Sequence, residues 1–532
     1  MSTLEDLQKF IEDYVEKLKP LFKKANLTWW DAYTIGKKEH FEKHEEIIKE
    51  IKKLHNNKEE FEKVKELLKT EIKDPLIKRQ LKLIHDGYLS SQGDINLINE
   101  IISKEVKIEQ KFNNFRAKVN EKILTDNEIK DILKKETNSE KLKEVWEASK
   151  RQGEIVEKEF IEVIKLRNKL ANSQGFENYY IMSLEVSEQK IQDIKEIFEE
   201  LEELTDNSFK EVKYETDSYL SKKFKIPINE LKPWHYYDLF FQKGPETYNV
   251  DLDKFFEQDI LEISKKFYKS IGIDVEEILQ RSDLYEKEGK SQHAFAIDVD
   301  REGDVRILEN IKNNEYWMNT TLHELGHGIY WEFINKNLPF LLRDVAHTFT
   351  TEGIAMFFGR QSQNISFIKK YAGDFNEDYL EIYKKLEKMS KMSQLVFSRW
   401  AQVMVNFEMK LYENPTQDLN KLWWDIVKKH QLIDFYRDKP DWASKMHFVS
   451  APVYYHNYML GELFASQLHN KITKEILKKD SLKNVDYSGN NEVGNYLKKS
   501  VFGPGMSYEW NDLIEKATGE KLTPKHFVEE FA

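Results

Sequence analysis

Two histidines four residues apart dominate the chemistry available to this chain of 532 residues: His323 and His327 in Asn319-Thr320-Thr321-Leu322-His323-Glu324-Leu325-Gly326-His327-Gly328-Ile329-Tyr330-Trp331. On a helix, side chains at i and i+4 lie one above the other, so both imidazoles reach one metal ion. Glu324, directly after the first histidine, is then placed to take a proton from a water on that metal. The pattern requires a third ligand. Glu352, 25 residues after His327, is the one carboxylate in the apolar helical stretch from Thr350 to Phe358. A buried carboxylate is costly unless it is paired or holds a metal, so Glu352 reads either as the third ligand or as the partner of Arg343 or Arg360. Two neutral imidazoles and one carboxylate leave a fourth position open for water, as catalytic zinc requires. Cysteine is absent, which excludes disulfides, thiolate-held metal and thiol nucleophiles.

The segment His323 to Arg360, with Leu338-Pro339 and Val345-Ala346-His347 between its ligand helices, resembles the angiotensin-converting-enzyme (peptidyl-dipeptidase A) type of zinc peptidase. That family belongs to the gluzincins, and the thimet-oligopeptidase type is a more distant relation. Upstream, Gln292-His293-Ala294-Phe295-Ala296 is similar to the family's substrate-edge strand, which implies that His293 and Ala294 meet the bound peptide. Lys232-Pro233-Trp234-His235-Tyr236-Tyr237-Asp238 is weakly similar to another cleft segment. Downstream, Ser444 to Tyr458 resembles the family's third block. There the resemblance assigns Lys445 and Tyr455 to the substrate's C-terminal carboxylate, and His447 and Tyr458 to the reacting centre. One residue more than in the converting enzyme separates His447 from the tyrosines, so Tyr454 competes for the Tyr455 role. Similarity is specific over about residues 290 to 470 and looser towards Trp29-Trp30 and residues 510–531.

Two departures from the family pattern stand out. Met356 occupies the place of an aspartate that orients a zinc histidine, so another acceptor has to serve that purpose. Asn457 replaces the arginine expected just before the second tyrosine, which weakens any basis for chloride activation there.

The resemblance implies a mainly α fold, a two-lobed helical ellipsoid with a deep central cleft and a small β-hairpin beside the zinc helix. It further implies one peptidase fold over residues 1–532, a helical lid over about 1–120 and a catalytic core over about 290–470. The implied activity is Zn²⁺-dependent hydrolysis of short peptides that releases C-terminal dipeptides. Endo-cleavage of the thimet type, a non-catalytic peptide-binding protein on the same fold, and a zinc hydrolase of non-peptide amides are the alternatives. The retained Glu324 argues against the non-catalytic one.

Composition agrees with long helices. Glycine and proline number 20 and 11, about half the usual combined share, while Lys, Glu, Leu and Ile lose little rotamer freedom in a helix. Only five glycines precede residue 240, and apolar residues recur at helical spacing over 3–24, 39–56, 94–114 and 139–173. Residues 291–311 break that pattern: Ala294 to Val299, a turn-like Asp300-Arg301-Glu302-Gly303-Asp304, then Val305, Ile307 and Leu308 predict a hairpin. An edge strand there can hold an extended peptide. The net charge of −12 disfavours nucleic acid as a partner. No stretch reaches the roughly 18 apolar residues of a membrane span, and the N-terminus lacks a basic segment followed by an apolar one, so the expectation is a soluble cytoplasmic protein. His40 and His44 also stand four apart but in a highly charged segment, and are expected on a solvated face. His347 is expected to be structural or to support the ligands. No phosphate-binding glycine loop, dinucleotide fingerprint or serine elbow is present.

Overall fold

The computed structural model describes residues 4–245, 247–248, 250–373 and 379–532. These residues are mainly α-helical, with two small antiparallel hairpins. The chain divides into two compact units, one of residues 1–92, 251–379 and 460–530, the other of 93–250, 380–459 and 531–532. No described helix is long and apolar enough to cross a membrane.

Several predicted helices form with the ends their residues dictate. Ser139–Ser173 is capped by Asn138, whose side chain accepts the Lys141 N–H, and Ile95–Asn114 is capped likewise by Asp94. Such caps satisfy backbone donors that the first turn leaves open. The first helix runs further than predicted, from Leu4 to Ile35, and keeps Pro20 inside it. The second, Lys38–His55, packs against it. Here His44 departs from the solvated expectation, because its Nδ1 lies 3.1 Å from Ala25 O and 3.2 Å from Thr28 Oγ1.

In the first unit, the helices Glu315–Glu332 and Thr348–Gly359 form the centre. Both are lined with buried apolar side chains: Leu322, Leu325, Ile329, Ile354, Ala355 and Phe358 are all fully buried. Gly326 allows their backbones to meet. A Cβ there would stand 2.8 Å from Ala355 Cα and 3.1 Å from Ile354 O. Beside the first of these helices lies the predicted hairpin, Phe295–Asp298 paired with Val305–Leu308, Ala296 opposite Ile307. Its turn is fastened by Asp298 Oδ1, which accepts the Arg301 N–H at 2.9 Å, and by Asp300, which pairs with Lys23 at 3.0 Å. The first helix covers the strand, with Trp29, Trp30 and Tyr33 around the Phe295 ring and Asn26 Nδ2 donating to Asp298 O at 3.0 Å.

The second unit is built on Ser139–Ser173, Ile191–Phe224, Tyr379–Glu413 and Leu419–Gln431. Trp146, Phe160, Trp400, Phe407 and Trp442 are buried at its core. Its short hairpin, Ala117–Val119 with Lys122–Leu124, was not anticipated from the sequence.

The close approach at Gly326 yields a paired prediction. Gly326→Ala must push backbone against backbone and should destabilise by about 1–3 kcal/mol. At Gly328 a Cβ meets the Ile278 side chain at an ordinary 3.4 Å, so Gly328→Ala should be neutral or gain up to about 1 kcal/mol from helix propensity. Denaturant unfolding of both variants checks the contrast.

Candidate functional site

The two central helices of the first unit deliver three ligand atoms to one point. His323 Nε2 and His327 Nε2 stand 3.7 and 3.9 Å from Glu352 Oε2, and the imidazole rings are 4.9 Å apart at 81°. Among the described residues this is the one group of three or more His, Cys, Asp or Glu side chains gathered closely enough for a metal ion. Tetrahedral zinc with bonds of about 2.0–2.2 Å separates its ligands by about 3.4 Å, so a small contraction completes the site. His40 and His44 are not part of any such group.

Electrostatics favour a cation at that point. Burial holds His323 down to about 4 and His327 well below the usual range, so both rings are neutral at pH 7 and offer a lone pair. Burial and the Glu462 carboxylate push Glu352 up to about 7, a cost that a divalent ion relieves. The ion-pair alternative for Glu352 is not met. Arg360 pairs with Glu462 and Glu530, and Arg343 with Glu302. His327 Nδ1 lies 2.8 Å from Thr351 Oγ1, a contact that turns Nε2 towards Glu352 when Nδ1 carries the proton. Thr351 thus fills the place left by Met356, from the residue beside the third ligand. His347 begins the second ligand helix as its cap, its Nδ1 accepting the Phe349 N–H at 3.2 Å.

Glu324 is buried on the same helix turn as the two histidines. Desolvation and the Glu309 and Glu352 carboxylates push its pKa well up, while the Ala296 backbone N–H donates to it and opposes that rise. The hairpin strand therefore lies beside the carboxylate. His293 and Ala294 immediately precede this strand, His293 exposed and Ala294 half-buried.

Lys445, His447, Tyr455 and Tyr458 belong to the second unit, where they form a group of their own. Lys445, only 8% exposed, donates to Gln242 Oε1 at 3.0 Å. Its Nζ lies 5.3, 5.1 and 5.6 Å from the ring centres of Phe240, Trp400 and Tyr455. Burial lowers it to about 8, against the pull of the Asp238 carboxylate. Tyr455 accepts the Trp400 indole N–H at 2.5 Å, which leaves its own hydroxyl proton for an acceptor. His447 is 5.2 Å and Tyr458 5.3 Å from the Tyr455 ring, and burial holds His447 down to about 4. Tyr455 shares the Lys445 cluster, whereas Tyr454 packs its ring on Tyr458 at 5.2 Å. Asn457 is buried and accepts Gln189 Nε2 at 2.8 Å, a neutral pair where the family's arginine was expected.

Sequence reasoning did not single out Thr351, Gln242, Trp400 or the Ala296 N–H. Asp238 ended the weakly similar upstream segment; its carboxylate accepts the backbone N–H groups of Phe240, Gln242 and Lys243 at 2.6, 3.0 and 3.1 Å. It thereby presents Gln242 to Lys445. Only for Asp238 did a motif give any signal.

A sequence profile described as angiotensin-converting enzyme matches residues 1–531. Among curated relatives, the chain is 22% identical to an angiotensin-converting enzyme of Theromyzon tessulatum, over 86% of this chain and 79% of the relative. It is 22% identical to carboxypeptidase 1 of Bacillus subtilis (strain 168), over 44% of this chain and 51% of that protein. An angiotensin-converting enzyme-related protein of Drosophila melanogaster is 21% identical, over 58% and 53% respectively.

Thr351→Val removes the hydrogen-bond partner of His327 while keeping the side chain's shape. Metal affinity should fall about 10- to 100-fold, read by competition with a chelator, and Thr351→Ser should restore most of it.

Proposed function

The chain belongs to the angiotensin-converting-enzyme family and is a metallopeptidase of it, and on that premise we propose that it uses Zn²⁺ to hydrolyse short peptides and release C-terminal dipeptides. The observation that carries the reading is the convergence of His323 Nε2, His327 Nε2 and Glu352 Oε2 beside the buried Glu324 carboxylate. His323, His327 and Glu352 would hold the zinc. When bound there, zinc would polarise the scissile carbonyl and lower the pKa of water towards about 7.

Glu324 is assigned the proton of the attacking water, which it then delivers to the leaving amine. Its raised pKa suits that exchange, because a carboxylate made more basic by burial takes a proton more readily. The Ala296 N–H opposes part of that rise and favours the charged carboxylate that accepts the proton. Tyr458 is assigned to the developing oxyanion together with His447, which at pH 7 is a neutral imidazole. His293 and the Ala294 backbone are assigned to peptide alignment. Lys445, Gln242 and Tyr455 are assigned to the substrate's C-terminal carboxylate. They supply an ammonium, an amide and a hydroxyl proton, the donor set that a carboxylate accepts. This last group supports release of a dipeptide over endo-cleavage, since an internal segment offers no carboxylate there.

Two outcomes follow. Glu324→Gln should lower kcat by about 10²–10⁴-fold with zinc content unchanged by metal analysis; wild-type turnover in that variant would remove Glu324 from its role. Lys445 is charged below about 8 and loses its proton above it. The kcat/KM for a free-acid peptide should therefore decline as pH rises through about 8. The same peptide amidated at its C-terminus should be cleaved poorly throughout and lack that decline.

A further inference from the structure

The loop that joins His447 to the tyrosines is held by two buried ionisable side chains. Arg167, 2% exposed, donates through Nη1 to Phe448 O at 2.8 Å and through Nη2 to Val449 O at 2.7 Å, and its charge is met by Glu105 at 2.7 Å. Glu408, also 2% exposed, lies on the helix Tyr379–Glu413 and accepts the Val453 N–H at 2.8 Å. Val453 has φ of 54°. That left-handed conformation is strained for a β-branched residue, by about 1–3 kcal/mol, and persists only where the surroundings impose it.

The position of that strain matters. Two residues after Val453 comes Tyr455, and at His456 the helix His456–Lys471 begins, with Tyr458 in its first turn. A return of Val453 to an ordinary conformation would redirect the chain at the point where the tyrosines leave the loop. A buried carboxylate is a costly way to fill space, and this one meets the backbone N–H of the strained residue. Burial pushes Glu408 up to about 8, and it accepts that N–H whether protonated or charged.

We propose that Glu408 is a positioning residue for peptide recognition: by accepting the Val453 N–H it keeps Val453 left-handed and so sets Tyr455 against Lys445. This rests on the reading that Lys445 and Tyr455 hold the substrate's C-terminal carboxylate. Glu408 itself is placed on neither substrate nor metal.

The test compares a free-acid peptide with its C-terminal amide on the zinc-loaded full chain, for wild type, Glu408→Gln, Glu408→Asp, Glu408→Ala and Glu408→Ala with Val453→Gly. Glu408→Gln keeps an acceptor of the same length and should stay within about twofold of wild type. Glu408→Ala, and Glu408→Asp with its shorter reach, should lose about tenfold or more in kcat/KM for the free acid, chiefly through KM, with the amide little changed. Val453→Gly should recover part of that loss, because glycine adopts a left-handed φ without strain. Equal losses on both peptides, or no recovery on adding Val453→Gly, would overturn the proposal, as would full free-acid preference in folded Glu408→Ala. Should Glu408→Ala fail to fold, Glu408→Asp decides alone on the same criteria. A wild type that cleaves acid and amide alike overturns the carboxylate reading and this proposal with it. A discriminating wild type whose Glu408 variants discriminate equally overturns this proposal alone.

Discussion

The separation of ligands in the first unit is set by how closely two helix backbones approach, and that approach depends on Gly326. His323 and His327 flank it on one helix, and Ala355, on the other, is three residues from Glu352. With any side chain at 326 the backbone of the second helix must retreat from the 2.8 Å that a Cβ would otherwise find. The 3.7 and 3.9 Å between imidazoles and carboxylate leave little room for retreat before one ion can no longer touch all three. A second glycine continues the arrangement. A Cβ on Gly461 would lie 3.3 Å from Glu352 Cβ and 3.4 Å from Gly353 N, so the helix His456–Lys471 packs directly on the third ligand.

Electrostatics then explain why this packing calls for a cation. Glu324, Glu309 and Glu352 are all pushed upward by burial, and the two histidines are held neutral. Arg360, the nearest candidate counter-charge in sequence, is taken by Glu462 and Glu530. Lys290 acts on Glu309, but among the described residues no lysine or arginine pairs with Glu324 or Glu352, and the histidines offer them only lone pairs. A divalent ion converts that cost into binding energy, and because the ligands come from helices at the centre of the unit, metal binding is coupled to its stability.

Much of this centre was legible in the sequence because it is local. His323, Glu324 and His327 share two turns of one helix, Glu352 is the lone carboxylate of an apolar stretch, and the hairpin at 291–311 announces itself by alternation and a charged turn. Contacts between distant segments were not legible. Thr351 becomes a partner of His327 only once two helices are packed, and Gln242 meets Lys445 across more than two hundred residues of chain. Trp400 donates its indole N–H to the Tyr455 hydroxyl, a contact that no spacing rule contains. Local rules also erred where tertiary packing overrode them: the first helix runs on past residue 24 to Ile35, and His44, in a highly charged stretch, is drawn onto that helix by Ala25 O and Thr28. The division into two units had no linker signature, since the chain passes between them five times, three of them within the helices Tyr379–Glu413, His456–Lys471 and Lys525–Phe531.

The second unit's group carries its own argument about specificity. Lys445 is nearly buried, its hydrogen-bond partner is a neutral amide, and three aromatic faces surround it. Burial depresses the Lys445 pKa, and the Asp238 carboxylate, occupied with three backbone N–H groups, offsets this only in part. A free carboxylate arriving beside Lys445 would complete a charge-assisted hydrogen bond, worth about 1.5–3 kcal/mol. An amide there would leave the ammonium as under-satisfied as before. On the proposed carboxylate role of Lys445, discrimination of about one to two orders of magnitude would need no clash with the wrong peptide; it would arise from a demand in the free protein that a terminal carboxylate meets.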